Sequence, residues 1–243
     1  MSEQQVIRVS EQQDMRVSEQ QDMRAAALAQ LGRAFSIEDA RRRCALVVEQ
    51  DLPFDVFDAP IFPPQGDHAL NPDLTAGPVK AKPAAVLIAI VAHADGPTML
   101  FTERASKLRT HAGQVAFPGG RVDAEDSSPI ATALREAQEE IGLLPELVEP
   151  LGYLAPYQTG TGYRVIPVVA IVQPPFVLNL NPHEVVDVFE APLEFLFNEA
   201  NHRRHRWERD GVVRESWALE FRDKMIWGVT AGILRNFYER AFR

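Results

Sequence analysis

The chain has 243 residues, a formal net charge of -9 and a pI near 5.2. An acidic balance of this kind argues against broad capture of nucleic acid, which needs a clustered basic face; a small anionic ligand held through a metal remains compatible with it. The length suits one main domain with extensions and is enough to bury a real core. Cys44 is the single cysteine, so an intrachain disulfide and a cysteine-based zinc site are excluded, and the residue reads as a small buried apolar group in a chain suited to a reducing compartment.

Residues 2–24 repeat with a period of eight, SEQQVIRV, SEQQDMRV, SEQQDMRA. They are too polar for a core and too few to stack, which predicts a disordered or weakly helical tail with no catalytic part. The same terminus lacks the basic start and apolar centre of a secretory leader, so the expected location is the cytoplasm. From Ala25 to about Gln50 the pattern is helical, with Ser36 as an N-cap ahead of Ile37, Glu38 and Asp39. The stretch from Pro53 to Pro83 holds seven prolines and no sustained period, the mark of an irregular connection. The expected organisation is therefore a tail at 1–24, a helical and proline-rich extension at 25–82 and a compact domain at 83–243.

The run AAVLIAIVA at 84–92 is about half the length needed to cross a bilayer and predicts a buried strand, so no membrane partner is expected. Further strands are predicted near 98–103, 113–117, 150–156 and 164–173 from their β-branched and aromatic content. Helices are predicted at 129–141 and 226–240. The first has Ser128 as cap, Pro129 at its first position and Gly142 as its stop. A hairpin through RHRWERDGVVRESWALEF should turn at Asp210-Gly211. Strands and helices interleaved without a regular βαβ rhythm predict an α/β fold, with a mixed sheet covered by helices on both sides.

The chemistry concentrates in ALREAQEEIGL at 133–143. Glu136 stands three before Glu139 and four before Glu140, so the three carboxylates share one side of the predicted helix, where like charges repel. Arg135 stands four before Glu139 and can tie it by a charged hydrogen bond. A cation among the carboxylates would relieve the repulsion, and all-oxygen ligands favour Mg²⁺ or Mn²⁺. A glutamate-rich helix alone is more often a solvated face. The preceding FPGG, Phe117–Gly120, changes that weighting, because two glycines permit a carbonyl aimed at a metal or an amide aimed at a phosphate.

Here the sequence resembles the Nudix hydrolases, whose signature is G-x5-E-x7-R-E-U-x-E-E-x-G-U with U a bulky aliphatic. Gly120, Arg135, Glu136, Glu139, Glu140, Gly142 and Leu143 match it. Asp126 stands where the early Glu is expected, the spacing from it to Arg135 is one residue long, and Ala137 replaces an aliphatic. Upstream, LFTERASKLRTHAGQVAFPGG at 100–120 is similar to the longer motif of the coenzyme A pyrophosphatase branch, L-L-T-x-R-[SA]-x3-R-x3-G-x3-F-P-G-G, with Phe101 the one substitution. That branch also tolerates the extra residue and the Asp.

The resemblance implies a Nudix α/β/α sandwich and hydrolysis of the pyrophosphate of coenzyme A, a small-molecule substrate, with Mg²⁺ or Mn²⁺ as cofactor. It implies a metal held by Glu136, Glu139 and Glu140 with the Gly120 carbonyl, and a structural Arg135. Arg104 and Arg109, with the backbone of Gly119 and Gly120, are the implied substrate contacts, since a guanidinium grips phosphate in a bidentate way. Glu184, in NPHEVVDVFEAPLEFL at 181–196, is the leading candidate for a general base or extra metal ligand, against an N-capping carboxylate or a plain loop charge. His111 at the pocket mouth is more often incidental. The segment 158–168 reads equally as a pocket loop or a strand connection, and Trp207, Trp217 and Trp227 read as packing ahead of adenine stacking. Homodimerisation rests on the resemblance alone. ADP-ribose, NADH or a dinucleotide are alternative substrates, and a non-catalytic nucleotide-binding module is the reading from another class.

Overall fold

The structure, a computed structural model, describes residues 35–52, 65–74, 81–106, 113–209 and 211–243. The repeat tail, the segment from Ala25 to Ala34, most of the proline-rich connection, and Arg109, His111 and Asp210 lie outside these residues.

Helix α1 (Ile37–Val47) begins where Ser36 Oγ accepts the Asp39 N–H at 3.1 Å, a capping bond that satisfies an orphan donor of the first turn. Strands β1 (Lys82–Val91), β2 (Thr98–Arg104), β3 (Val115–Ala116) and β4 (Gly119–Arg121) follow. Helix α2 (Pro129–Ile141) comes next, then β5 (Val148–Tyr153), β6 (Tyr157–Gln158), β7 (Tyr163–Val172) and β8 (Val185–Pro192). A single turn, α3 (Leu193–Leu196), leads to β9 (Arg203–Arg209), β10 (Val212–Phe221) and β11 (Lys224–Trp227), and α4 (Gly228–Ala241) closes the chain. Among the described residues none of the helices is long and apolar enough to cross a membrane.

The main sheet runs β3-β2-β1-β7-β5, with β4 on β1, β6 on β7 and β8 on β2. It is mixed because β1 and β7 are parallel over their whole lengths, while β2, β4 and β5 join antiparallel. A strand buried on both faces needs no polar alternation, and β1 shows why its apolar run is continuous. Ala85, Leu87, Ala89 and Val91 point to one face, with Ala133, Ala137 and Ile141 of α2. Ala84, Ile88 and Ile90 point to the other, with Ala40, Cys44 and Val47 of α1 and Leu234 and Phe237 of α4. In register, β7 divides the same way, Ile166, Val168 and Ala170 toward α2 and Val165, Val169 and Ile171 away from it. Helices thus cover both faces, the α/β/α arrangement the sequence predicts. Each fully buried Leu or Ile contributes about 1.5–3 kcal/mol relative to exposure.

Four details depart from the expectations. The two glycines of FPGG begin a short strand, β4, that was not predicted and that pairs with Ala84–Val86 of β1. Strand β8 has no counterpart among the predicted strands. The C-terminal helix starts at Gly228, and the residues just before it form β11. The predicted hairpin forms with Arg209 opposite Val212, and β11 extends it to a three-stranded sheet, β11-β10-β9.

Helix α1 is fixed to the end of the chain by a buried pair. Arg43 Nε donates to Asp39 Oδ2 at 2.7 Å, and Arg43 Nη1 donates to the Ala241 carbonyl at 3.1 Å. The Asp39 side chain is 0% exposed. Removing one member of such a pair leaves the other uncompensated, so Asp39→Ala is expected to cost about 3–5 kcal/mol in urea unfolding. A loss below about 1 kcal/mol would show that the pair does not hold the extension to the core.

Candidate active site

Helix α2 carries the site and is fixed at both ends. Ser128 Oγ accepts the Ala131 N–H at 3.2 Å, Pro129 occupies the first turn, and Gly142 at φ 70° is the left-handed C-cap, a conformation that glycine adopts without strain. The free carbonyls of the last turn are taken by the loop before β8: Asn179 N–H donates to the Ile141 carbonyl and Asn181 N–H to the Glu140 carbonyl, both at 2.9 Å. That loop therefore delivers Glu184 to the same end of the helix.

The three helix carboxylates have different fates. Glu140 is 3% exposed; its Oε2 accepts the Gly119 N–H at 3.1 Å, and Arg104 Nη1 stands 3.5 Å from its Oε1. Burial pushes the Glu140 carboxyl up to about 7, and the like charges of Glu136 and Glu184 push the same way against the Gly119 amide and Arg104. Glu136 is also raised, mainly by burial and further by Glu139 and Glu184, against the opposing pull of Arg135. Its carboxylate lies flat against Gly120: a Cβ there would overlap the carboxyl carbon and both oxygens of Glu136. Glu139, 56% exposed, is turned to Arg135.

Arg135 is the hub of the loop. Its Nε and Nη2 grip Asp126 at 3.0 and 2.9 Å, Nη1 donates to Glu136 and Glu139 at 3.0 and 3.1 Å, and Nη2 also donates to the Arg121 carbonyl at 3.1 Å. These bonds use all five donors of a guanidinium, so none is left for a substrate. Asp126 also accepts from Thr132 Oγ1 and from the Asp123 N–H. It serves as the partner of Arg135, and the bonds it receives, chiefly from Arg135, hold its carboxyl well below the usual range.

Of the residues expected to form the site, the structure brings together Gly119, Gly120, Glu136, Glu140, Arg104 and Glu184 and draws Glu139 aside. Arg104 stands against Glu140, and its buried Nε has no hydrogen-bond partner among the described residues. Arg109 and His111 lie outside the described residues. The 158–168 segment is the hairpin of β6 and β7, its turn held by Gly160 N–H donating to Asp67 Oδ2 at 2.7 Å. Trp217 is stacked between Arg204 and Arg235, 4.3 and 4.4 Å from its ring centre, and Trp207 meets Trp227 edge to face. Sequence reasoning missed Asn181 and the Asp126 partner of Arg135, which a spacing of nine residues across a loop does not reveal.

Among the described residues no three acidic or imidazole groups already stand as a ligand set. The donor chemistry nonetheless fits a hard divalent cation. Two desolvated carboxylates, raised by their own burial and mutual repulsion, face a backbone cradle that only glycine leaves open, and oxygen donors suit Mg²⁺ or Mn²⁺.

A carboxylate helix set on a mixed sheet against a glycine strand, with helices on both faces, places the chain in the class of α/β/α sandwich enzymes. The NUDIX domain profile matches residues 81–215. Nudix hydrolase NudL of Citrobacter koseri is 43% identical over 167 residues, 69% of this chain and 86% of that protein. NudL of Shigella flexneri is likewise 43% identical over the same shares. The solved MutT/nudix family protein of Enterococcus faecalis is 19% identical with a TM-score of 0.44, covering 67% of this chain and 62% of that one. The chain belongs to the Nudix hydrolase family. It is a pyrophosphohydrolase of nucleoside diphosphate derivatives, and enzymes of this family generally need a divalent metal ion.

Two outcomes follow from this geometry. Gly120→Ala is expected to displace Glu136 and lower turnover by 10-fold or more, on the order of outer-shell effects at metal sites, while the circular dichroism spectrum stays native; unchanged turnover would remove the cradle. Asp126→Asn is expected to cost about 1.5–3 kcal/mol near pH 7, the range for a charged hydrogen bond. Because the Asp126 carboxyl is depressed in the folded chain, its contribution is complete above the unfolded value of 3.8 and fades as pH falls below it. The gap between the urea melts of the two proteins should therefore narrow from pH 7 to pH 3 without closing, since the Asp126 contribution is lost in full only when pH falls through its much lower folded value.

Proposed function

We propose that the enzyme hydrolyses the pyrophosphate linkage of coenzyme A or a derivative, giving 3',5'-ADP and 4'-phosphopantetheine. The observation that carries this reading is the motif at 100–120, in register with the coenzyme A branch and leading directly into β4 and the carboxylate helix. Glu136 and Glu140, with the Gly120 carbonyl and Glu139 once released from Arg135, would hold the divalent ion, Mg²⁺ or Mn²⁺. When bound, it supplies charge screening of the diphosphate and acidifies water.

The chain's own residues account for the rest. Arg104, whose Nε has no partner among the described residues, offers a donor to a phosphate oxygen, and Arg109 is assigned the same role. The Gly119 and Gly120 backbone lets the diphosphate approach without a side chain in the way. Glu184 is the general base: its Oε2, free of the bond that Oε1 accepts, takes a proton from the attacking water. The water oxygen bonds to phosphorus, the bond from phosphorus to the bridging oxygen breaks, and two phosphomonoesters leave. A cytoplasmic location accords with this substrate and with Cys44, whose thiol burial pushes up to about 12 and so keeps unreactive. Homodimerisation is carried over from the resemblance.

Glu140→Gln should lower kcat by about 100-fold or more, beyond the range of outer-shell changes, with the fold intact and wild-type activity lost in excess chelator. Products from coenzyme A, dephospho-coenzyme A, ADP-ribose and NADH, identified by mass with Mg²⁺ and Mn²⁺, test the substrate. Preference for ADP-ribose or NADH would replace the coenzyme A reading with another diphosphate of the same class.

A further inference from the structure

We propose that Asn181 is the positioning residue that aims the Glu184 carboxylate at Glu136 and Glu140; the inference rests on the reading of Glu184 as a working carboxylate of this site. Asn181 makes two separable sets of bonds. One set builds the turn: its Oδ1 accepts the His183 N–H at 3.1 Å, and its carbonyl accepts the N–H groups of Glu184 and Val185 at 3.0 and 2.9 Å. The other set links the turn to the chemistry. Its N–H donates to the Glu140 carbonyl at 2.9 Å, and its Nδ2 donates to Glu184 Oε1 at 3.2 Å.

The amide orientation is fixed by its two partners, because a flipped side chain would set oxygen against a carboxylate and nitrogen against an N–H. One residue therefore joins the last turn of α2 to the side chain of Glu184. The backbone of Glu184 is held from the opposite side as well. The register of β2 against β8 shifts between Glu103 and Arg104, leaving Val186 unpaired, and beyond this bulge the Glu184 carbonyl accepts the Ala105 N–H at 2.8 Å. A bulge of this kind re-aims the residues beside it. Glu184 is thus pinned by its carbonyl to the end of the Arg104 strand and by its carboxylate, through Asn181, to the Glu140 turn. The like charge of Glu184 raises the Glu136 and Glu140 carboxyls, in keeping with this double attachment.

The two roles are separated by Asn181→Asp, which keeps the Oδ1 acceptor for His183 N–H and replaces the donor to Glu184 with a like charge, and by a second variant that removes the donor without adding charge. Asn181→Ser keeps an acceptor for the same N–H and is too short to reach Glu184. Both are expected to retain the wild-type melting temperature and lower kcat by about 10–100-fold, with KM for the preferred substrate of the panel within about threefold. Adding Asn181→Ser to Glu184→Gln should cost little more, since both act through one carboxylate. Crystals of Asn181→Asp should show Glu184 turned away from Glu140 with the 181–185 turn intact. Folded variants with kcat within threefold of wild type and Glu184 unmoved, alongside an impaired Glu184→Gln, would overturn this inference and leave the reading of Glu184 standing. Full turnover by Glu184→Gln would instead sink that reading and this inference with it.

Discussion

Glu140 carries a carboxylate that the fold takes almost entirely out of water, with one backbone amide and one distant guanidinium nitrogen as its described partners. Desolvation disfavours the charged form, so this group is held at a cost that the rest of the protein has to offset. The offset lies in placement. Gly119 at φ 155° sits so close to β1 that a Cβ would overlap the Ala85 carbonyl and Val86, and this close pairing points its N–H at Glu140. Glu136 lies beside it because Gly120 has no side chain. The site is thus a negatively charged cluster that backbone holds in place.

Holding such a site open requires a helix that cannot tilt. The apolar side of α2 is locked into β1 and β7 through Ala133, Ala137 and Ile141. Its beginning is capped by Ser128, and its last carbonyls are bonded to the loop that carries Glu184. Arg135 completes the arrangement by tying the helix to Asp126 and to the Arg121 carbonyl just beyond β4. The opposite face of the sheet is covered by α1 and α4.

How much of this was legible follows from the range of the interactions. Local rules located α2 to the residue, because its cap, its first-turn proline and its terminal glycine act within one turn. The two-sided apolar run of β1 was legible for the same reason. Strand β4 was not: glycines disfavour strands, and only the close approach of β1 makes Gly119–Arg121 one. The edge strand β8 mixes Val and Phe with Asp and Glu, and its register comes from pairing with β2. In the site, the side shared by Glu136 and Glu140 could be read from helical spacing. The withdrawal of Glu139 could not, since it depends on where Arg135 settles after gripping Asp126. Asn181 carried no signal beyond its place in a polar loop, because its significance is a contact made across the fold.

The two arginines near the carboxylates divide their labour by how their donors are used. Arg135 has spent every N–H on the protein, so its charge is already matched by Asp126, Glu136 and Glu139. Arg104 keeps a buried Nε without a partner among the described residues, so its donors are not all committed to the protein there. A single guanidinium cannot neutralise a diphosphate and Glu140 together. An anionic substrate entering beside Glu136, Glu140 and Glu184 would meet like charge at short range in a poorly solvated setting, where repulsion is stronger than in water. Substrate and carboxylates can share the space only if additional positive charge enters with or before the substrate, so the same desolvation that raises Glu140 also makes binding of the diphosphate conditional on a cation.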